Sequence, residues 1–268
     1  MMGWDSFRDC RDKIYSQAGG WTKDGSAILY GYDTHHELTP NVTFMQAIIL
    51  ACTGRMYHAN EARLIEAMHV VTGYPDPRLW CNRVAALAGT AKTPPAAALT
   101  AGLASSEARV YGSQSAYQAA KTICKATQIF SDKGDSGLTE FIHERIKQHR
   151  SVFGYGRPVV HVEERIAPID AFAQQLGIED GLHLKVARAI EGQLKKFRLI
   201  MNYAGYASAR FLDMGFSSIE IYRFTVHSLY IGLLPCYSEA FDAESGTFLP
   251  IACEDILYEG REERPLPE

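Results

Sequence analysis

The sequence predicts an all-α protein, and three observations carry that expectation. Apolar residues recur at helical spacing over several long stretches. Each stretch is bounded by capping residues, glycine or proline. Strand-like alternation is rare and short, which leaves helix-on-helix packing as the way to build a core.

Taken in order, Thr43 or Asn41 can cap a helix running FMQAIILAC, which Gly54 stops. That helix is apolar on nearly all sides and is expected to be buried. A second helix is expected from about Ala59 to Val71, with Leu64, Ile65, Met68 and Val71 on one face. The alanine-rich stretch 84–104 reads as two short helices separated by Pro94 and Pro95, with small residues that permit close helix approach. Residues 131–137, SDKGDSG, read as a surface loop, and a helix over 138–149 follows. Pro168 and Asp170 open another helix. Val186, Ala187, Ile190, Leu194, Phe197 and Met201 predict an amphipathic helix over 183–201. Further helices are expected at 206–214 and 218–241, divided by Gly215. No internal repeat is present.

The 268 residues allow one large domain, or a large and a small one, and 47% hydrophobic content fills a sizeable core. The net charge of −4 gives no basic face for nucleic acid. The densest basic run, Lys195, Lys196 and Arg198, reads as a solvated helix face. No apolar run reaches the ~18 residues of a membrane-spanning helix. The opening MMGWDSFRDCRDK lacks the apolar region of a signal peptide. The six cysteines, at 10, 52, 81, 124, 236 and 253, are isolated and form no C-x-x-C. Reduced thiols and a cytoplasmic location are therefore expected, where the sequon at Asn41 has no meaning.

The stretch with most chemical information is SVFGYGRPVVHVEER at 151–165. Gly154 and Gly156 bracket Tyr155, and Arg157 with Pro158 follows at once, so the turn presents Tyr155 and Arg157 at fixed angles. It resembles the GFGHP-V-H-K-x-x-D-P-R segment of the citrate synthase and citryl-CoA lyase superfamily. Five more elements follow the same family order. LYGYDTHHEL at 29–38 resembles R-G-Y-D-x-x-E-L, and Thr53-Gly54-Arg55 matches the link in the next helix pair. Residues 83–112 resemble the family's alanine-rich segment. NYAGYASARFLDMGF at 202–216 resembles N-V-D-G-A-x-x-A-x-L-x-D-L-G-F, and ILYEG resembles the terminal Y-x-G.

The resemblance implies a citrate synthase-like all-α fold. A large domain would take 1–112 and 205–268, with a small helical domain inserted at 113–204, and two subunits would pair as a homodimer. It also implies acyl-CoA-dependent formation or cleavage of a carbon–carbon bond next to a thioester. CoA or an acyl-CoA would be the co-substrate, beside a carboxylate or keto acid, with no tightly bound cofactor. The compact length and the GRP turn favour the citryl-CoA lyase branch.

The departures from the family pattern fall on its chemistry. The family's proton-abstracting carboxylate maps to Ala204, its turn histidine to Arg157 and its earlier histidine to Tyr111. The D-H element appears as Asp76-Pro77, and the arginine expected near the last helices maps to Ser228 or Leu229. Arg165 matches the arginine of D-P-R, near the CoA side of the family's cleft. The catalytic candidates are thus Tyr111, Arg157 and Asn202, and the CoA-binding candidates are Arg165 and Tyr155.

Each candidate has a plainer role open to it. Arg157 can hold a carboxylate or phosphate bidentately, or it can bond turn carbonyls; it stays protonated and is no general base. Tyr111 can donate to an enolate oxygen or pack half-buried. Tyr155 can line a cleft or the core. Asn202 can orient a carbonyl or hold the 202–205 turn. Asp76 and Glu107 are the nearest carboxylates to a missing base, each also readable as a surface or capping acid. Glu163 and Glu164 read as a solvated pair, and His227 as a satisfied core histidine. His35 and His36 lack a third ligand at metal spacing, so no metal site is expected. There is no dinucleotide-binding glycine motif, P-loop or serine elbow around Ser113. Two functions remain open: an enzyme with a rewired site, or a catalytically inactive relative that binds acyl-CoA or a paralogous subunit. A purely structural helical scaffold is a third.

Overall fold

The computed structural model describes residues 11–108, 111–149, 151–157, 162–247 and 252–267, with the side chain of His149 excepted. Cys10, with the rest of the first ten residues, and Pro158 lie outside the described residues. The described chain is helical apart from one small sheet. Strands β1 (Gly19–Trp21), β2 (Ala27–Leu29) and β3 (Tyr32–Asp33) form it, antiparallel and in sequence order. A π-helical turn, Thr34–Leu38, follows, and the Asp33 carboxylate accepts from the backbone N–H groups of His35 and His36.

Ten longer helices complete the described fold. They are α1 (Phe44–Thr53), α2 (Ala59–Val70), α3 (Trp80–Thr90), α4 (Pro95–Ser106) and α5 (Ser113–His149). After these come α6 (Ile166–Gln175), α7 (Leu182–Leu194), α8 (Tyr203–Asp213), α9 (Ser218–Phe224) and α10 (Tyr230–Asp242). Of the two candidate caps for α1, Thr43 is the one used. Its hydroxyl accepts from Gln46 N, and the Gln46 side chain accepts in return from Thr43 N at 3.0 Å. Four helical expectations need correction, the first being that 218–241 is not one helix but α9 and α10 separated by the 3₁₀ turn Thr225–Leu229. Helix α1 is buried on one side only, because Phe44 is 81% exposed. Residues 131–137 are not a loop but continue α5 through a single break at Gly134 (φ 63°). The 183–201 helix stops at Leu194, and a 3₁₀ turn ends at Arg198 with φ 59°. Met201 therefore enters the core from an extended segment, while Phe197 stays 43% exposed.

Packing divides the chain into two units. The first takes the described residues up to Gly73 and those from Glu107 to Leu229. Within it, α5 packs on α7, α8 and α9, while α1 lies on α2 and α9. Ile123, Leu138, Ile142, Leu184, Ile190, Tyr206 and Phe211 fill the centre. The second unit takes Tyr74–Ser106 and the described residues from Tyr230 onward, with α3, α4 and α10 packed on one another. Small residues set its spacing, as the alanine-rich sequence suggests. A Cβ on Gly89 would meet Tyr237 O at 2.7 Å, and one on Gly102 would meet Leu233 Cδ2 at 2.8 Å.

The core of the first unit contains two stacked histidines. His69 closes α2 and His227 sits in the 3₁₀ turn Thr225–Leu229, with ring centroids 5.1 Å apart and planes 14° from parallel. Phe224 meets both rings edge-on. Nδ1 of His69 bonds Ile65 O at 2.8 Å, and the Nε2 atoms of both rings are buried with no hydrogen-bond partner. Burial, and then the neighbouring His69, push the His227 pKa from 6.5 down to about 4. The depressed folded value sets the sign. Below pH 6.5 the unfolded chain takes up a proton that the folded chain refuses until about pH 4, so stability falls as pH drops through that window. In His227→Leu, proton uptake on unfolding between pH 6 and pH 4.5 should fall by about one proton, read from the pH slope of urea unfolding. Identical slopes in both proteins would rule out this burden.

Candidate functional site

The glycine turn at 152–156 is held against the segment that leads into α8. Gly156 N donates to Ile200 O at 2.6 Å, Asn202 N donates to Gly154 O at 2.9 Å, and Tyr155 bridges to Met201. Gly154 and Gly156 have φ of 91° and 93°, a region that disfavours other residues. The fit is close enough to exclude side-chain carbon: a Cβ on Gly205 would lie 2.3 Å from Gly154 O. Asn202 caps α8 through Oδ1, which accepts from Gly205 N at 3.1 Å, and its Nδ2 donates to Gly156 O at 3.0 Å. Its amide is thus committed to holding the turn on the helix. Tyr155 is 6% exposed and donates to Ala187 O at 2.8 Å. Burial drives its phenol pKa well above 10. The structure places Tyr155 in the core rather than on a cleft wall.

Beyond the turn lies a cluster of two arginines and two glutamates. Arg165 donates to both oxygens of Glu163, from Nε at 2.6 Å and Nη2 at 2.8 Å, and its guanidinium lies 4.8 Å from the Tyr203 ring centroid. Glu163 also accepts from Tyr203 N, in the first turn of α8, at 2.9 Å. Its side chain is 3% exposed, which corrects the reading of Glu163 and Glu164 as a solvated pair. Glu164 does fit that reading, with a side chain 61% exposed. Arg157 donates to Val162 O at 2.7 Å, reaches Glu164 at 2.5 and 3.4 Å, and stands 3.7 Å from Glu163. Arg157 thus bonds the Val162 carbonyl and a carboxylate of the same chain.

An open cavity of about 310 Å³ adjoins Glu163, and its walls include Asp170, Arg188, Glu191, Ile200 and Met201. Asp170 anchors a network there. It accepts from Arg188 at 2.7 Å, from the Tyr206 hydroxyl at 2.7 Å and from Arg210 at 3.0 Å. Arg210, 2% exposed, also pairs with Asp180 at 2.7 Å. Burial pushes the Asp170 pKa up, but the hydrogen bonds from Arg188 and Tyr206 and the Arg188 charge outweigh it, and the net shift is downward.

The turn therefore brings together Tyr155, Arg157, Arg165 and Asn202. Tyr111 is bridged to Ala108 just ahead of α5. Roughly 9 Å of helix rise separates the start of α5 from Ala119, the α5 residue nearest Gly154. Ala204 is the second residue of α8 and half-buried. Asp76 is gripped by Arg78, whose hydrogen bonds hold its pKa down to about 2 and make it a poor base. Glu107 accepts from the Tyr222 hydroxyl at 2.6 Å. Among the described residues, no group of three His, Cys, Asp or Glu side chains gathers as metal ligands. Sequence reasoning missed Asp170, Arg188 and Arg210. Their only local signal was Asp170 near a helix start, and their meeting depends on three separate helices.

These features define a helical protein built around a glycine turn clamped to a capped helix. No model of a known protein family matches the sequence, and no curated protein matches it. Solved structures do. Citryl-CoA lyase from Hydrogenobacter thermophilus superposes with a TM-score of 0.81 at 21% identity, covering 95% of this chain and 98% of that one. The ATP citrate lyase of Methanosaeta concilii, in complex with (3S)-citryl-CoA, gives 0.76 at 19% identity over 98% of this chain and 45% of that one. Citrate synthase from Thermoplasma acidophilum, in a ternary complex with carboxymethyl coenzyme A and oxaloacetate, gives 0.64 at 14% identity over 85% of this chain and 60% of that one. At these identities the likeness is one of fold. The chain has the citrate synthase-like all-α fold, and the compact citryl-CoA lyase matches it nearly end to end.

Proposed function

We propose that this protein binds an acyl-CoA and forms or cleaves a carbon–carbon bond next to the thioester, with an altered site. The observation that carries this reading is the end-to-end fold match to a citryl-CoA lyase. The division into domains at 112 and 204, pairing as a homodimer and a cytoplasmic location belong to the same reading. Arg165 is the proposed CoA-side contact, and Arg157 and Tyr111 the proposed catalytic groups. Asn202, spent on capping α8, acts by positioning the turn. With alanine at 204, the proposed source of the enolate is decarboxylation or cleavage of a condensed acyl-CoA, neither of which needs a base on the acyl methyl group. A second reading, a catalytically inactive acyl-CoA binder, is favoured by the engagement of Arg157 and Arg165 with Glu163 and Glu164.

Calorimetry with CoA, acetyl-CoA and malonyl-CoA is expected to show binding; no heat with any of them would end the acyl-CoA reading. Thiol release from acetyl-CoA and oxaloacetate is expected to be at background, because a positioned acid or base typically contributes ~10²–10⁴-fold and none stands at 204. Ordinary citrate synthase turnover would mean that another carboxylate supplies the base. Thiol release from a malonyl or condensed acyl-CoA separates the enzyme from the inactive binder.

A further inference from the structure

The two glutamates of the arginine cluster are not equivalent. Glu163 is 3% exposed and holds Arg165 and the first turn of α8 together, so it is part of the scaffold. Glu164 is 61% exposed and grips Arg157 through a solvent-facing carboxylate. Arg157 itself is only 16% exposed. Its hydrogen bond to Val162 O and the nearby Glu163 carboxylate orient the guanidinium independently of Glu164. This is a preset cationic fork with a removable occupant.

We propose that Arg157 is a binding site for a carboxylate carried by a ligand, and that Glu164 occupies it as an internal competitor. A pair whose carboxylate faces solvent is weak, so an incoming carboxylate that makes a second contact competes with Glu164 for the guanidinium. The occupant already shows which chemistry the fork accepts: a planar carboxylate on two guanidinium nitrogens. A phosphate can also take a guanidinium fork, so it serves as the competing ligand in the test. The inference deepens the acyl-CoA reading, on which it rests only for the identity of the physiological ligand.

The test is calorimetry of malonate and of inorganic phosphate at low ionic strength, on wild type, Glu164→Gln and Arg157→Gln. Malonate is expected to bind Glu164→Gln about fivefold more tightly than wild type, the factor that ~1 kcal/mol gives. Arg157→Gln is expected to lose malonate binding. The proposal is overturned by equal or weaker malonate binding in Glu164→Gln, by undiminished binding in Arg157→Gln, by preference for phosphate, or by no malonate binding to any of the three. If Arg157→Gln does not fold, the exposed Glu164→Gln change decides alone. CoA binding is scored separately. Its loss with malonate binding intact removes the acyl-CoA reading and leaves this site standing; the reverse removes this site only.

Discussion

Replacing Asp170 by alanine is expected to destabilise the fold by about 3 kcal/mol, the lower end of what breaking a buried ion pair from one side costs, because the Asp170 side chain is itself 23% exposed. The carboxylate ties Arg188, the Tyr206 hydroxyl and Arg210 at 2.7–3.0 Å. Arg210 is 2% exposed, so its charge cannot turn to water when a partner is lost. Asp180, at 2.7 Å, retains part of the neutralisation, which favours the same lower end. Urea unfolding of the single variant, and of Asp170→Ala combined with Arg210→Met, checks the mechanism. The double variant should lose less than the single one, because no stranded charge remains. A double variant as unstable as the sum of the two changes would mean that the carboxylate stabilises by packing. The pH dependence follows from the lowered Asp170 pKa: its contribution is present above the unfolded value near 3.8 and is lost as pH falls through the folded one.

Gly205→Ala is expected to cost about 3 kcal/mol or more, as overpacking against an unyielding neighbour does. In a helix this change normally gains up to ~1 kcal/mol of propensity, so a large loss isolates the tertiary contact. The added methyl would lie 2.3 Å from Gly154 O and 3.0 Å from Gly154 Cα, both backbone atoms of a turn fixed at φ 91°. Relief requires the glycine turn to lift off α8, which breaks the bonds from Asn202 to Gly154 and Gly156. Arg157 follows directly on that turn, so malonate binding should weaken with stability. A loss below about 1 kcal/mol would show that the turn is free to move.

Asn202 and Glu163 show where sequence reasoning reached and where it stopped. Holding the 202–205 turn was one of two roles open to Asn202, and a cap is legible because it spans three residues. Glu163 was misread because two adjacent acids normally face water. Its burial comes from Arg165 beside it and from Tyr203 N, forty residues away. In the same way, the amphipathic stripe ending at Met201 predicted the right buried residue but the wrong backbone, since an extended pairing with Tyr155 replaced the last helical turns.

What the sequence by itself determined was set by short-range physics. The 3.6-residue periodicity and the caps dictated helices, the glycines at 154 and 156 dictated a tight turn, and alanine at 204 left no proton acceptor there. What only the tertiary structure decided was the state of the charges. Whether Glu163 is solvated or sealed, and whether Asp170 meets Arg210, depend on segments forty residues apart. Desolvation and charge pairing act through space, and no spacing along the chain encodes them.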